Sequence, residues 1–164
     1  MTTACSPHEM LLAFLSREKA RYQHLRHPAA GKSEDVARVR GTEIGQGAKA
    51  LVCKLKGNGK KDFVLAVLAA DLHADLTLLG ELMGARKASL ASVDDVRALT
   101  GCVPGSIPPF SFHTDLKLVA DPEIFARYTD IAFNAGSLED SVILSTEDYL
   151  RIARPQILQF SRHV

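Results

Sequence analysis

Apolar positions along this chain change period several times, and each change marks a boundary between predicted elements. Leu11, Leu12, Phe14 and Leu15 recur at helical spacing, with Arg17, Glu18 and Lys19 off the stripe, which predicts a helix from Pro7 to Ala20. Ser6-Pro7-His8-Glu9 supplies its start: a capping serine, proline in the first turn and a capping-box glutamate. Tyr22 to His27 reads as a short strand stopped by Pro28. Ser33-Glu34-Asp35 opens a second helix that Gly41 ends.

The period then shortens. Ala48 to Leu55 and Phe63 to Ala70 are β-rich, and Lys56-Gly57-Asn58-Gly59-Lys60-Lys61 between them has hairpin turn chemistry. The second run is apolar at nearly every residue, as expected of a strand covered on both faces. Downstream, the pattern predicts a helix over Asp75 to Met83 and a strand over Lys87 to Leu90. Ser92 caps a further helix that ends at Gly101. Core strands follow at Leu116 to Val119 and Ile131 to Phe133, with a short helix begun by Asp121-Pro122 between them. A strand at Val142 to Leu144 and a helix at Thr146 to Ala153 complete the set. Helices alternate with strands, yet the central hairpin interrupts the alternation, so a mixed sheet is expected rather than a doubly wound parallel one.

Composition narrows the function classes. A chain of 164 residues is long enough to bury roughly two thirds of its unfolded surface. Cys5, Cys53 and Cys102 are odd in number and lack CxxC spacing, which supports neither a disulfide framework nor a zinc cluster. No apolar run approaches about 18 residues, and no export signal opens the chain, so a cytoplasmic protein without membrane contact is expected. With 20 Lys+Arg against 19 Asp+Glu, the net charge of +1 does not mark a general nucleic-acid binder, and any RNA contact must be local. No strand is followed by GxGxxG or GxxxxGK[ST], which leaves dinucleotide and P-loop readings unsupported. No cofactor or metal is indicated: Asp71-Leu72-His73-Ala74-Asp75 has ligand-type residues, but Asp75 is better explained as a helix N-cap.

Two segments carry the chemistry. Gly47-Ala48-Lys49-Ala50-Leu51-Val52-Cys53-Lys54 puts one lysine in an apolar strand-like run, where a charge is costly without a partner. Gly101-Cys102-Val103-Pro104-Gly105-Ser106-Ile107-Pro108-Pro109-Phe110 is a Gly/Pro loop able to present backbone amides. A cation beside an N–H-lined loop suits an ester carbonyl or a phosphate. Together with His27, the Ser33-Glu34 helix, Arg86-Lys87-Ala88-Ser89, the G-x-x-x-P spacing of Gly105 and Pro109, and Phe133-Asn134-Ala135-Gly136, in this order, they resemble the YbaK/prolyl-tRNA-editing domain family. The wording of the lysine segment and of Ser106-Ile107-Pro108-Pro109-Phe110-Ser111-Phe112-His113 is most similar to freestanding relatives that clear serine and threonine from tRNA. Departures occur at Ala50, Ser111 and Asn134-Ala135, where other branches carry Thr, Gly and His-Pro.

The resemblance implies one α/β domain over residues 1–164, with a mixed, strongly curved, barrel-like sheet flanked by helices. It implies hydrolysis of the ester of tRNA mischarged with a small amino acid, serine or threonine first and alanine second. Lys49 would meet the tRNA terminus, and the vicinal ribose hydroxyl would orient water. Backbone N–H groups at Gly105, Ser106 and Ile107 would hold the carbonyl, on a loop stiffened by Pro108 and Pro109. His27, Pro108, Pro109, Phe110, His113, Asn134 and Gly136 are candidate substrate-binding residues, with Asn134 placed to bond a side-chain hydroxyl. Lys54, Lys56, Lys60, Lys61, Arg86 and Lys87 are candidates for the tRNA body. A synthetase or elongation factor would supply tRNA identity. Two alternatives stand beside this: a non-catalytic module that holds a tRNA end, a nucleotide or a partner in the same pocket, and a hydrolase using Cys53 or Cys102.

Overall fold

The central hairpin organises the molecule. In the computed structural model, which describes residues 6–163, strands β2 (Ala48–Gly57) and β3 (Lys60–Ala69) pair antiparallel over their whole length. Their two-residue turn is Asn58-Gly59, with φ of 54° and 75°. Both values are left-handed, as a type I′ loop requires, and Asn-Gly is the pair that adopts it most cheaply. Val64 through Ala69 of β3 are fully buried. They lie between a large core that includes Leu11, Leu15, Phe110, Phe133 and Tyr149 and a smaller one of Val52, Leu65, Val96, Cys102, Ile107 and Leu116.

Around the hairpin run α1 (Pro7–Arg17), β1 (Tyr22–Arg26), α2 (Ser33–Arg40) and a 3-10 turn at Ile44–Gln46, all before β2. After β3 come β4 (His73–Ala74), α3 (Leu76–Leu82), β5 (Lys87–Leu90), α4 (Val93–Thr100), β6 (Leu116–Ala120), α5 (Glu123–Arg127), β7 (Asp130–Asn134), β8 (Asp140–Ser145), α6 (Thr146–Ala153), β9 (Gln156–Ile157) and β10 (Ser161–Arg162). The five-stranded sheet has the order β5-β2-β3-β6-β9, antiparallel about the hairpin and parallel from β3 to β9, so the sheet is mixed as expected. A second sheet has the order β1-β8-β7, and β10 pairs with β4.

The expected barrel-like closure is not found. Among the described residues only a single bridge, Gly47 with Ala132, joins the five- and three-stranded sheets. A barrel needs a continuous ladder, and here β5 pairs with β2 only from Cys53 to Lys56. Among the described residues no strand covers the outer edge of β2 over Ala48 to Leu51. That uncovered stretch is where the candidate site opens.

Local signals were obeyed where a side chain could act on its own backbone. Ser6, Asp75 and Ser92 each accept the N–H three residues on, from Glu9, Leu78 and Asp95, which satisfies one of the orphan donors of each helix start. Two boundaries differ. The first helix stops at Arg17 because Lys19 turns left-handed, φ 57°. Lys32, not Ser33, is the N-cap of α2, without a side-chain bond. The C-terminal segment is held by Asp121: this fully buried carboxylate accepts the N–H groups of Glu123, Phe160 and Ser161 at 2.9, 2.9 and 2.7 Å. Cys5 lies outside the described residues.

Candidate active site

A cleft of about 190 Å³ opens beside the uncovered edge of β2. Its walls are Gly47 to Leu51 on one side, Gly105, Ile107 and Asn134 on another, and Ser33, Val36, Ala37 and Arg40 of α2 on a third. The α2 residues follow i, i+3, i+4, i+7 spacing, so one face of that helix looks into the cleft. Two cations line the cavity, Lys49 and Arg40, and its lining includes no carboxylate, histidine or cysteine.

Lys49 sits half-buried on β2 and donates from Nζ to the Leu72 carbonyl at 2.6 Å. Burial lowers its pKa, and the nearby Asp71 carboxylate partly offsets this. Asp71 is itself held below the usual carboxylate range, first by its hydrogen bonds from Arg127, whose two guanidinium nitrogens lie 2.9 and 2.8 Å away.

The loop opposite is fixed from behind. Ser106 is buried: its Oγ donates to the Val103 carbonyl at 2.8 Å, its N–H goes to the same carbonyl, and its own carbonyl accepts the Gly136 N–H at 2.9 Å. Tyr149, fully buried on α6, donates its hydroxyl to the Pro109 carbonyl at 2.7 Å. The side chain of Ile107 enters the smaller core. These ties engage the Ser106 amide and leave the Gly105 and Ile107 N–H groups without a protein acceptor among the described residues. Both residues line the cleft, whereas the Ser106 N–H is already engaged by the Val103 carbonyl.

A polar network holds the third wall. Asn134 donates from Nδ2 to the carbonyls of Ala30 at 3.0 Å and Gly105 at 2.7 Å. Its Oδ1 lies 3.0 Å from Arg40 Nη2, which donates to it, and 3.2 Å from Ser141 Oγ. Arg40 Nε donates to that Oγ at 2.8 Å, and His27 Nε2 is 2.7 Å from it. The His27 Nδ1–H faces the Pro28 carbonyl at 2.9 Å. The single hydroxyl hydrogen of Ser141 therefore serves either His27 or Asn134. Burial pulls the Arg40 pKa down to about 10, which still leaves it protonated at neutral pH.

The family model for the aminoacyl-tRNA editing domain matches residues 27–152. The chain belongs to this family. It is 59% identical over 155 residues to the multifunctional Ser/Thr-tRNA deacylase ProXp-y of Escherichia coli K12, a match that covers 94% of this chain and 93% of the relative. Among solved structures, a candidate trans-editing enzyme for prolyl-tRNA synthetase superposes with a TM-score of 0.81 at 20% identity, covering 98% of this chain and 99% of that one. A hypothetical protein of 18% identity superposes with a TM-score of 0.83, covering 94% and 100%. At those identities the structures speak for the fold alone.

In this editing domain the residues singled out from sequence separate into three groups. Lys49, Gly105, Ile107 and Asn134 line one cavity. Ser106, His27, Pro109 and Gly136 stand behind its walls as ties. Pro108, Phe110 and His113 line a different cavity with Met10 and Cys102, and Phe110 packs edge-on to Phe14, Phe133 and Tyr149. Cys53 and Cys102 are buried thiols, and burial raises both pKa values, that of Cys53 to about 11. A thiolate nucleophile at neutral pH is thereby disfavoured. Arg40 was missed. A basic residue in the last turn of a helix reads as complementing the helix dipole, but its i, i+7 relation to Ser33 on the Val36-Ala37 face was the available signal.

The basic residues of the hairpin lie elsewhere. On β2, Lys54 and Lys56 alternate with Lys49 and so face the other side of the sheet. Lys56 is directly opposite both Lys61 of β3 and Lys87 of β5, which makes a row of three like charges across three strands. Lys54, Lys56 and Lys87 also line one groove with Ser89, Ser92 and the carboxylate of Asp95. Lys60 and Arg86 are exposed nearby, and the Arg86 N–H bonds the Lys56 carbonyl at 2.9 Å.

Proposed function

We propose that this chain is a freestanding trans-editing deacylase, which hydrolyses the ester of tRNA mischarged with serine or threonine first and alanine second. The observation that carries the reading is the pairing, across one small cleft, of Lys49 with the two unengaged N–H groups of Gly105 and Ile107. The similarity to a Ser/Thr-tRNA deacylase over nearly the full length supports it.

In this reading the ester carbonyl oxygen lies against the Gly105 and Ile107 N–H groups. Water adds to the carbonyl carbon, the oxygen gains negative charge, and the two amides stabilise it. The ribose oxygen then leaves with a proton, giving a free amino acid and a tRNA with its terminal hydroxyl restored. The neighbouring ribose hydroxyl orients the water, as the family resemblance implies, and the cleft lining holds no carboxylate, histidine or cysteine. An aminoacyl ester is activated already, and positioning together with oxyanion stabilisation is the larger requirement. Lys49 holds the terminal nucleotide. His27, Ser106, Pro109 and Gly136 maintain the walls.

The lysine row serves the tRNA body. Like charges directly opposite one another destabilise a sheet, and a phosphate backbone relieves that repulsion. With a net charge of +1 the general attraction to tRNA is small, which suits a cytoplasmic enzyme that receives its tRNA with help from a synthetase or elongation factor.

A panel of tRNAs charged with serine, threonine, alanine, cysteine and proline tests the assignment. Release of serine and threonine ahead of alanine is the expected result. Binding of charged tRNA without release from any member would contradict it and favour a non-catalytic module.

A further inference from the structure

Asn134 is the residue that sequence places to read a substrate hydroxyl, yet its hydrogen-bonding capacity is spent. Both amide hydrogens go to the Ala30 and Gly105 carbonyls, and Oδ1 faces Arg40 and Ser141. What it does instead is hold a guanidinium. Arg40 is fastened through Nη2 to Asn134 and through Nε to Ser141. Among the described residues no carboxylate pairs with it, and Nη1 has no protein hydrogen-bond acceptor although Arg40 lines the cleft. A half-buried cation thus keeps donors open to the cleft, and it is rigid because two of its three nitrogens are anchored.

We infer that Arg40 reads the side-chain oxygen of the aminoacyl group, which makes the cleft selective for β-hydroxy amino acid esters over alkyl esters of the same size. This rests on the cleft being the deacylation site. Two features give Arg40 the acyl side chain rather than a phosphate. One Asn134 side chain bonds both Arg40 and the carbonyl of Gly105, so the guanidinium is bolted to the loop that would hold the ester carbonyl. The acyl side chain begins one atom from that carbonyl carbon, whereas the nearest phosphate is separated from it by the ribose. Val36 and Ala37, on the same helix face as Arg40, leave a small apolar wall beside it. The selectivity follows from an asymmetry. A ligand that brings an oxygen completes the hydrogen bonding of the guanidinium, and one that brings a methyl group displaces water from donors that then have no partner.

The test compares non-hydrolysable 3′-amide analogues of the terminal adenosine carrying serine or 2-aminobutyrate, which replaces the hydroxyl by a methyl group. Calorimetric binding to wild type, Arg40→Met and Arg40→Lys gives a serine to 2-aminobutyrate affinity ratio for each. Wild type is expected to favour serine roughly 10- to 100-fold, the range of a hydrogen bond to a charged group. Arg40→Met brings the ratio close to one through loss of seryl affinity. Arg40→Lys, with a point charge in place of the fork, is expected to lower the ratio and serves as the reporter should Arg40→Met fail to melt cooperatively. A wild-type ratio near one, or a ratio unchanged in the variant, would overturn the inference. So would equal weakening of both analogues, which would assign the guanidinium to the carbonyl or phosphate that they share. Wild-type hydrolysis of seryl-tRNA is measured beside these, so that loss of the deacylase reading is seen separately from loss of the Arg40 assignment.

Discussion

At the scale of single residues, the cleft presents two cations with different partners, Lys49 and Arg40. Lys49 is bonded to a backbone carbonyl and sits near Asp71. Its charged form is the one that can hold a tRNA terminus, and burial lowers the pKa at which that charge is lost. If deacylation needs the charge, the alkaline limb of its pH profile must fall earlier than an ordinary lysine would set it. Replacing Asp71 by Asn removes the group that opposes this shift, and the limb is expected to move to lower pH still. A profile whose alkaline limb stays put in Asp71→Asn would dissociate the limb from Lys49. Lys49 was legible from sequence because a lone charge in an apolar strand demands an explanation. Arg40 was not, since its last-turn position already had one, and its partners Asn134 and Ser141 lie 94 and 101 residues away in sequence.

The proposed site rests on the Gly105 loop, whose shape is imposed by other elements. Gly136, just past the end of β7, has φ 76° and gives its N–H to the Ser106 carbonyl. A Cβ there would stand 2.7 Å from the His8 nitrogen and 2.9 Å from the Pro7 carbonyl carbon. Neither backbone atom can yield cheaply, because the capped start of α1 fixes both. Gly136→Ala is therefore expected to cost about 2 kcal/mol or more, with a Tm lower by roughly 4–8 °C for a chain of this size. Loss of deacylation beyond the unfolded fraction should accompany it, as the loop loses its tie to β7. An unchanged Tm would show that α1 moves aside freely. Helix caps and the Asn-Gly turn could be read from sequence because each acts within a few residues. The short strands β4, β9 and β10 could not: they exist through pairing with distant segments, and no periodicity can develop over two residues.

For the molecule as a whole, the mixed sheet was foreseen, whereas the expected closure does not form. Strand patterns give the faces of strands, but whether the last ladder forms depends on where β5 ends against β2. The gap left there is the cleft, so the part of the fold that sequence misjudged is also the part that makes a site. On the other face, the cross-strand row Lys61-Lys56-Lys87 predicts a salt-dependent tRNA interaction. Lys56→Ala should raise KM for charged tRNA and reduce its dependence on salt, with the slope of log affinity against log salt smaller by about 0.7–0.9 for each phosphate no longer neutralised. The same variant should leave binding of the terminal-adenosine analogues unchanged. Equal weakening of tRNA and of the short analogue would place Lys56 in the cleft's own chemistry and contradict the division into two faces.

Under the proposed function, the cleft between Lys49 and the Gly105 loop is the place where the aminoacyl ester is hydrolysed. Single-turnover deacylation of seryl-tRNA, with tRNA binding measured on the same samples, tests it in wild type, Lys49→Ala and Gly105→Ala. Gly105 has φ 89°, so the added methyl strains the loop whose N–H groups are to receive the ester carbonyl. Rapid release by wild type is expected, with a rate at least roughly 100-fold slower in Gly105→Ala, the scale of losing an oriented oxyanion donor, and slower release with weaker tRNA binding in Lys49→Ala, which loses the hold on the terminal nucleotide. Wild-type rates retained by either folded variant would contradict it.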